Sequence, residues 1–204
     1  MASRILRKKA IFAFQGEHGA YSEEAARTAH KGCKTIACST FSDALAAVEA
    51  GTATHAIIPV ENSTAGPVEG VRELLSKTKL KAVGEIILPV RHCLLTHSGQ
   101  KIGDIRRVYS HPQALMQCKK TIEKMLPNAR VFPCYDTAGA AKRISEIRPA
   151  GAAAIASSRA GRIYGLERLA EGIQDESSNS SRFCILSKEG TTPNHRLRHV
   201  QQNR

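Results

Sequence analysis

The sequence predicts an α/β fold in which strands and helices alternate along the chain. Short apolar runs rich in Val, Ile and Ala, glycines and capping residues between them, and helix-like segments after most runs support this prediction. Such alternation is typical of a parallel sheet covered by helices. At 204 residues the chain can bury a core in one domain or in two small lobes.

The first half of the chain is predicted to begin with this alternation. Strands are expected at 10–14, 35–38, 55–60 and 82–88. The residues expected at the helix starts are Ser22, Ser42 with Asp43, and Pro67. Hydroxyl and carboxylate side chains cap helix N-termini, and proline fits the first helical turn.

The second half continues the pattern. Strands are expected at 90–96, 108–109, 130–134, 152–156 and 181–186, and helices at 112–126, 137–147 and 157–164. Polar clusters follow strands at 16–22, 61–66, 110–113, 135–139 and 179–182. Since ligands of α/β sheets bind at the carboxyl ends of strands, we expect these clusters to line one shared cleft.

The formal net charge is +12, and more than half of the excess lies at the two ends of the chain. Residues 1–9, a predicted basic leader, and residues 190–204, a basic tail, contain no acidic side chains. Between them remain 23 basic and 18 acidic residues. With no Trp and 4% aromatic residues, the chain has few surfaces for stacking nucleic-acid bases. We therefore expect a small anionic ligand as partner and no nucleic acid.

No apolar run approaches the about 20 residues that span a bilayer, and no secretory signal follows the basic start. The six cysteines form no Cys-x-x-Cys pair, so we expect neither a zinc site nor a disulfide framework. Free cysteines fit a reducing compartment. We predict a cytoplasmic protein with no metal and no membrane contact. Import into a plastid or another organelle is the alternative, since the leader is basic.

Two of the polar clusters have a structural alternative. The turn at Gly16 and Gly19 lacks the third glycine of a dinucleotide loop. It could offer backbone N–H groups to a carboxylate, or be a plain strand–helix turn. Asn62 and Ser63 offer hydrogen-bonding groups to a ligand, or could cap the helix that follows.

Three further positions are candidates for chemistry. His111 could be an acid or base, or a helix cap. Gln113 and Gln117 share a helix face that could point into the cleft. In the stretch 172–186, Ser181 stands beside Arg182. A hydroxyl next to a guanidinium can hold an anion and assist the departure of an oxygen leaving group, although a hydrophilic turn is the alternative.

Seven short motifs occur in a fixed order along the chain. They lie at 14–23, 59–63, 110–118, 136–141, 153–157, 164–166 and 172–183, the last containing Asn179 and Ser181-Arg182-Phe183. Together they resemble the prephenate dehydratase family, including the arogenate dehydratases of plants, over roughly residues 10–189.

The resemblance implies a two-lobed fold like that of type II periplasmic binding proteins, with a cleft between the lobes. Residues 10–189 would form the catalytic domain, with lobe one at about 10–88 plus 179–189 and lobe two at about 89–178. The chain would cross between the lobes near Pro89 and again near 169–173.

The resemblance also implies a cofactor-free dehydratase of phenylalanine biosynthesis, usually a homodimer. It would convert prephenate to phenylpyruvate, water and carbon dioxide, or arogenate to phenylalanine. Ser181 takes the place of the family's catalytic threonine in its Thr-Arg-Phe motif. Serine keeps the hydroxyl but frees χ1, so we expect reduced activity. The expected substrate-binding residues are Arg182, Phe183, Asn62, Ser63, Glu61, Ser110, Gln113, Gln117, Thr137, Ala138, Gly139, Ala20, Tyr21 and Ser22.

Several alternatives stay open from the sequence. Arg182 would bind a carboxylate or form a structural ion pair, and Phe183 would pack rather than react. Residues 190–204 are too short for the ACT domain through which phenylalanine regulates many members. Feedback by that route is not expected, unless the chain is a piece of a longer protein. A binding protein that kept the cleft and lost the chemistry is the alternative function. The motifs resemble those of the plant enzymes, which favours arogenate as substrate, but they do not decide between arogenate and prephenate.

Overall fold

The computed structural model describes residues 10–188, so the predicted leader 1–9 and tail 190–204 lie outside the described residues. The predicted α/β class is confirmed, and the fold has two lobes, each built on one sheet. The expectation of parallel sheets is wrong, because both sheets are mixed. Strand–helix alternation does not reveal strands that enter a sheet from a distant part of the sequence.

The first sheet carries the last strand of the described chain near its centre. Its strands are β1 (Ile11–Gln15), β2 (Lys34–Cys38), β3 (His55–Asn62), β4 (Gly66–Pro67), β5 (Lys81–Pro89) and β11 (Ser180–Ser187). Their order is β2-β1-β3-β11-β5, with β4 paired to β3. β1 pairs in parallel with β2 and β3, whereas β11 is antiparallel to β3 and β5.

The second sheet contains a strand that the sequence did not reveal. Its strands are β6 (Cys93–Thr96), β7 (Arg107–Ser110), β8 (Arg130–Pro133), β9 (Ala152–Ala156) and β10 (Glu167–Glu171), in the order β10-β6-β9-β7-β8. β10 is an edge strand with three exposed charged residues, so it shows no apolar run. The second crossover, expected near 169–173, therefore begins only after Glu171.

The helices are α1 (Tyr21–Ala29), α2 (Phe41–Glu49), α3 (Val71–Lys77), α4 (Pro112–Gln117), α5 (Lys119–Met125), α6 (Thr137–Ile147) and α7 (Ser158–Tyr164). A 3-10 turn spans Ile102–Asp104. The single helix expected at 112–126 is interrupted at Cys118, which ends α4 and precedes α5. The helix predicted at 137–147 is confirmed.

Two predicted helix starts are wrong, and a third is right only for Asp43. Ser22 lies inside α1, whose N-cap is Ala20. Thr40 rather than Ser42 caps α2, in a capping box with Asp43. Pro67 belongs to β4, and α3 begins only after Gly70, whose φ of 71° lets the chain turn into the helix.

The two lobes share one hydrophobic core. Phe12 and Phe14 of β1 and Ala25 of α1 are buried in the same cluster as Ala140 of α6 and Ala154 of β9. Two further hydrophobic clusters lie on the outer faces of the sheets. One packs α2 and α3 against the first sheet, and the other packs α4 and α5 against the second. Alanine side chains let helices and strands approach closely at the interface. The shared core therefore fixes the orientation of the two lobes and preforms the cleft between them.

Gly19 lies where the two lobes approach each other closely. Its φ is +94°, and an added Cβ would lie 2.7 Å from the Cα of Ala160 in α7. The Ser157 hydroxyl also donates a hydrogen bond of 2.6 Å to the Gly19 carbonyl. Both the backbone angle and the space available therefore require glycine at this position.

We expect Gly19→Ala to lower the free energy of unfolding by about 3 kcal/mol, since left-handed strain and overpacking act together. Gly51→Ala is the matched control, because Gly51 has a φ of +80° and open space around an added Cβ. The control should cost only about 1 kcal/mol. Urea denaturation of both variants measures the difference, and equal losses would contradict the close contact with Ala160.

Candidate active site

A cavity of about 550 Å³ opens between the lobes. Six of the predicted site residues line it: Tyr21, Asn62, Gln113, Gln117, Thr137 and Ser181. The rest of the wall comes from the segment 65–69, which includes β4, from Val90 and His92 of the first crossover, and from His111 and Ala114 at the start of α4. The volume is within the range of about 300–1,000 Å³ typical of small-molecule sites.

The pairing of β11 with β3 places Ser181 opposite Asn62. A β-bulge follows, because Arg182 pairs with Glu61 and Phe183 pairs with Pro59. Proline has no N–H to give to the ladder, so it is well tolerated at a bulge. Ser181 lines the cavity, whereas Phe183 is only 2% exposed and belongs to the shared core.

The backbone fixes the orientation of the Asn62 amide. Its Oδ1 accepts hydrogen bonds from the N–H groups of Thr64 at 3.0 Å and Ala65 at 3.1 Å. Because a backbone N–H can only donate, the amide atom facing these groups is the oxygen and the atom facing away is the nitrogen.

That assignment determines whether the Ser181 hydroxyl donates or accepts its hydrogen bond with Asn62. Asn62 Nδ2 lies 3.0 Å from Ser181 Oγ, 2.9 Å from Asn179 Oδ1 and 3.0 Å from the Ser180 carbonyl. An amide nitrogen donates, so Ser181 Oγ accepts. No other partner of Ser181 Oγ lies within the described range 10–188. The hydroxyl proton is thus available to a ligand in the cavity.

A chain of hydrogen bonds extends from Asn62 across both lobes. Gln117 Nε2 donates to Asn62 Oδ1 at 3.1 Å and to Thr64 Oγ1 at 2.7 Å. Gln117 Oε1 therefore faces His92 Nε2 at 2.9 Å, and that nitrogen carries the proton. His92 Nδ1 lies 3.0 Å from the Tyr21 hydroxyl. Burial lowers the pKa of His92 below its ordinary value of 6.5, although the bond to Gln117 opposes this, so the imidazole is neutral at neutral pH.

The Arg182 guanidinium is held by two carboxylates outside the cavity lining. It lies 2.7 Å from Glu61 and 3.2 Å from Glu85. The hydrogen bond to Glu61 is the main cause of the raised pKa of Arg182. Of the two roles that the sequence left open for Arg182, the contacts are those of the structural ion pair. Ser63 also braces the loop, since its hydroxyl accepts from the Ser180 N–H at 2.9 Å.

The other predicted site residues are buried away from the cavity. Ser110 is fully buried and its hydroxyl donates to the Ile155 carbonyl at 2.6 Å. Gly139 lies under the Tyr135 ring. Ala20, Ser22 and Ala138 are also buried and do not line the cavity. A motif predicts that these residues are near the site, but it does not show which way each side chain points.

The turn between β1 and α1 binds carboxylates of the protein itself. The Glu17 N–H donates to Asp136 Oδ2 at 2.8 Å, and the Gly19 N–H donates to Glu23 Oε2 at 2.7 Å. The sequence suggested that this turn could present N–H groups to a carboxylate. Asp136 precedes α6 in one lobe and Glu23 belongs to α1 in the other. The turn therefore joins the two lobes.

Glu23 is fully buried at this junction. Its carboxylate accepts hydrogen bonds from Arg27 at 2.8 Å, Thr35 at 2.8 Å and Arg159 at 3.3 Å. Burial raises the pKa of Glu23, but the hydrogen bonds from Gly19 and these side chains outweigh it and lower the pKa to about 2. Arg27 belongs to α1 and Arg159 to α7. The carboxylate therefore links the lobes.

Two lining residues with polar side chains, His92 and Glu69, were not predicted from the sequence. His92 lies in a run predicted to be an apolar strand, and nothing around it signals a polar role. Glu69 lies in a segment predicted to be helical but is part of the loop before α3.

Among residues 10–188 there is no group of three or more His, Cys, Asp or Glu side chains able to hold a metal ion. No helix in that range has the length and apolar character needed to cross a membrane.

The fold and the site define a two-lobed α/β protein with a preformed small-molecule cavity and an available hydroxyl between its lobes. The chain belongs to the prephenate dehydratase family, whose model "Prephenate dehydratase" matches residues 12–191. Arogenate dehydratase/prephenate dehydratase 2, chloroplastic, of Arabidopsis thaliana is 46% identical over 182 residues, which cover 89% of this chain and 47% of the relative. The chain spans less than half the length of the curated relatives that it matches first.

Solved structures confirm the fold. A prephenate dehydratase from Arthrobacter aurescens in complex with L-Phe superposes with a TM-score of 0.81 at 28% identity, covering 92% of this chain and 63% of that chain. A protein described as a novel type of quorum-quenching acylase superposes with a TM-score of 0.80 at 39% identity, covering 88% of this chain and 64% of that chain.

Proposed function

We propose that this chain catalyses the decarboxylation and dehydration of prephenate to phenylpyruvate, or of arogenate to phenylalanine. Family membership supports this assignment. The observation that carries it is the Ser181 hydroxyl, which accepts from Asn62 and keeps its proton for the cavity. A proton donor held in this way suits a reaction in which an oxygen leaving group departs.

The reaction requires that the protein orient the substrate and that one proton be supplied. The bond from the ring to its carboxylate breaks, and carbon dioxide leaves. The electron pair enters the ring and expels the hydroxyl at the opposite carbon, which makes the ring aromatic. Ser181 donates a hydrogen bond to that oxygen as negative charge develops, and the departing hydroxide takes up a proton to become water. The proton comes ultimately from solvent, so the overall reaction consumes one proton and needs no oxidant or reductant.

The substrate carboxylates are bound by neutral donors. Gln113 Nε2 is buried and has no hydrogen-bond partner among the described residues. Gln113 and Thr137 both line the cavity, and their side chains can donate to a carboxylate. We assign carboxylate binding to these two residues and a bracing role to Arg182. Tyr21, His92 and Gln117 position Asn62 and, through it, Ser181.

A binding protein without chemistry, the alternative considered from the sequence, is not favoured. A serine in place of the family's threonine keeps the reactive hydroxyl, which accepts a hydrogen bond from Asn62. Reduced turnover relative to a threonine-containing protein is the expected consequence of the freer χ1.

The test is direct assay of the purified chain with each substrate. We expect phenylpyruvate, measured by its ultraviolet absorbance in alkali, from prephenate, and phenylalanine, measured by chromatography, from arogenate. Spontaneous conversion without protein is the background. Binding of either substrate in calorimetry without product above this background would overturn the dehydratase proposal and support the binding protein.

Assembly and location are part of the same proposal. We propose a homodimer, tested by light scattering, and residues 10–189 as the catalytic unit, tested by assay of that fragment. We propose a cytoplasmic or plastid location, the second supported by the chloroplast location in the relative's name. Fractionation of cells expressing the protein distinguishes the two.

A further inference from the structure

The described wall of the cavity carries one charge that the proposed chemistry does not use. Of its 15 lining residues, Glu69 is the one with a side chain ordinarily charged at neutral pH, the two histidines apart. Among residues 10–188 no Lys or Arg lines the cavity, and Arg182 beside it is engaged by Glu61 and Glu85. Among residues 10–188, Glu69 has no salt-bridge partner within 4 Å. The cavity is therefore mildly acidic, although the substrates of the proposed reaction carry carboxylates.

The backbone on either side of Glu69 is held in place. The Val68 N–H donates to the Val60 carbonyl of β3 at 3.1 Å, and the Leu74 N–H donates to the Gly70 carbonyl at 3.0 Å. Gly70 adopts a φ of 71° and caps α3. Glu69 thus lies between two fixed positions and is kept at the cavity wall.

The two candidate substrates differ at a single group. Prephenate carries a keto group and two carboxylates, so it is a dianion. Arogenate carries an ammonium in place of the keto group, which reduces its net charge to −1. A carboxylate attracts the ammonium and repels the dianion. Glu69 does so from an exposed position at the cavity wall. The described wall, with one carboxylate and no Lys or Arg, is therefore the complement of the aminated substrate.

We infer that Glu69 binds the ammonium group of arogenate and makes arogenate the preferred substrate. This inference rests on the proposed dehydratase function and names the substrate that the site selects. Glu69 is a specificity residue and has no part in expelling the ring hydroxyl. Its removal should change the ratio of the two activities and leave the chemistry with prephenate in place.

The experiment compares kcat/KM for arogenate and prephenate in the wild type, Glu69→Gln and Glu73→Gln. Glu73 is the matched control, since its side chain is 71% exposed on α3 and does not line the cavity. We expect Glu69→Gln to lower kcat/KM for arogenate by about tenfold, because a charge-assisted contact is lost. Its kcat/KM for prephenate should stay constant or rise about two- to fivefold, since repulsion of the dianion is removed. Glu73→Gln should leave both values unchanged.

The outcomes separate the two proposals. Turnover of both substrates with the same ratio in wild type and Glu69→Gln overturns the role of Glu69 and keeps the dehydratase. Equal losses on both substrates also overturn it, because they indicate a general structural effect. If the wild type turns over neither substrate, the dehydratase proposal fails and the specificity inference fails with it.

Discussion

Replacing Ser181 by alanine should lower kcat of the dehydratase reaction by at least about a hundredfold, the scale of a lost proton donor. The fold should be unaffected, since Ser181 is only half-buried and its side chain makes one hydrogen bond within the described structure. Steady-state kinetics with both substrates and a urea denaturation curve provide the two measurements. An alanine variant with wild-type kcat would remove Ser181 from the mechanism.

Three further variants distinguish the effect of the Ser181 hydroxyl from the effects of neighbouring groups. Ser180→Ala, one residue earlier on β11, is the matched control and should keep full activity. Ser181→Thr should match or exceed the wild type, because the added methyl restricts χ1 while the hydroxyl stays. Asn62→Asp should reduce kcat nearly as strongly as Ser181→Ala, since the introduced carboxylate would accept the hydroxyl proton that Asn62 now leaves free. Full activity of Asn62→Asp would contradict the assigned hydrogen-bond direction.

Replacing Glu23 by alanine should lower the free energy of unfolding by about 3–5 kcal/mol, because two arginines at the lobe junction lose their shared partner. The Glu23 side chain is 0% exposed and bridges Arg27 of α1 and Arg159 of α7. Thermal and urea denaturation should show the loss. Glu123→Gln, in an exposed pair on α5 with a side chain 64% exposed, should change stability by less than about 0.5 kcal/mol.

The same carboxylate should make stability depend on pH. The pKa of Glu23 falls from its ordinary value of 4.5 to about 2 in the folded protein. A carboxyl with a lowered folded pKa adds stability that is fully present above its unfolded pKa. That stability is lost as pH falls toward the folded pKa. The wild type should therefore lose stability between pH 4.5 and 2 more steeply than Glu23→Gln. Parallel curves for the two proteins would show that the carboxylate does not carry this effect.

Local signals in the sequence were enough to predict most elements and part of the site. Apolar runs indicated β1, β3 and β9, and Ser157 caps α7 through its hydroxyl, 3.0 Å from the Ala160 N–H. The order of the motifs indicated the family, and the placement of polar clusters after strands indicated one cleft. Ser181, Asn62 and Gln117 were predicted for that cleft, and all three line the cavity. These features depend on residues close together in the chain, which is why they could be predicted.

The directions of side chains could not be predicted in the same way. Ser110 and Gln113 belong to one motif, yet Ser110 is bonded to Ile155 in the core and Gln113 lines the cavity. Arg182 had two possible roles, and its contacts with Glu61 and Glu85 depend on strand pairing across more than 90 residues. His92 has no local signal, since the partners of its ring, Tyr21 and Gln117, come from α1 and α4.

The sequence by itself determined the α/β class, the family and the presence of a hydroxyl next to a cation at the start of the last strand. Only the tertiary structure decided which groups the hydroxyl and the cation contact. β11 is inserted antiparallel between β3 and β5. This pairing places Asn62 beside Ser181 and two carboxylates beside Arg182. The register is set by pairing between strands that are far apart in the chain, so it cannot be inferred from the residues next to Ser181. For that reason the same short motif yields one hydroxyl that lines the cavity, one ion pair and one core side chain.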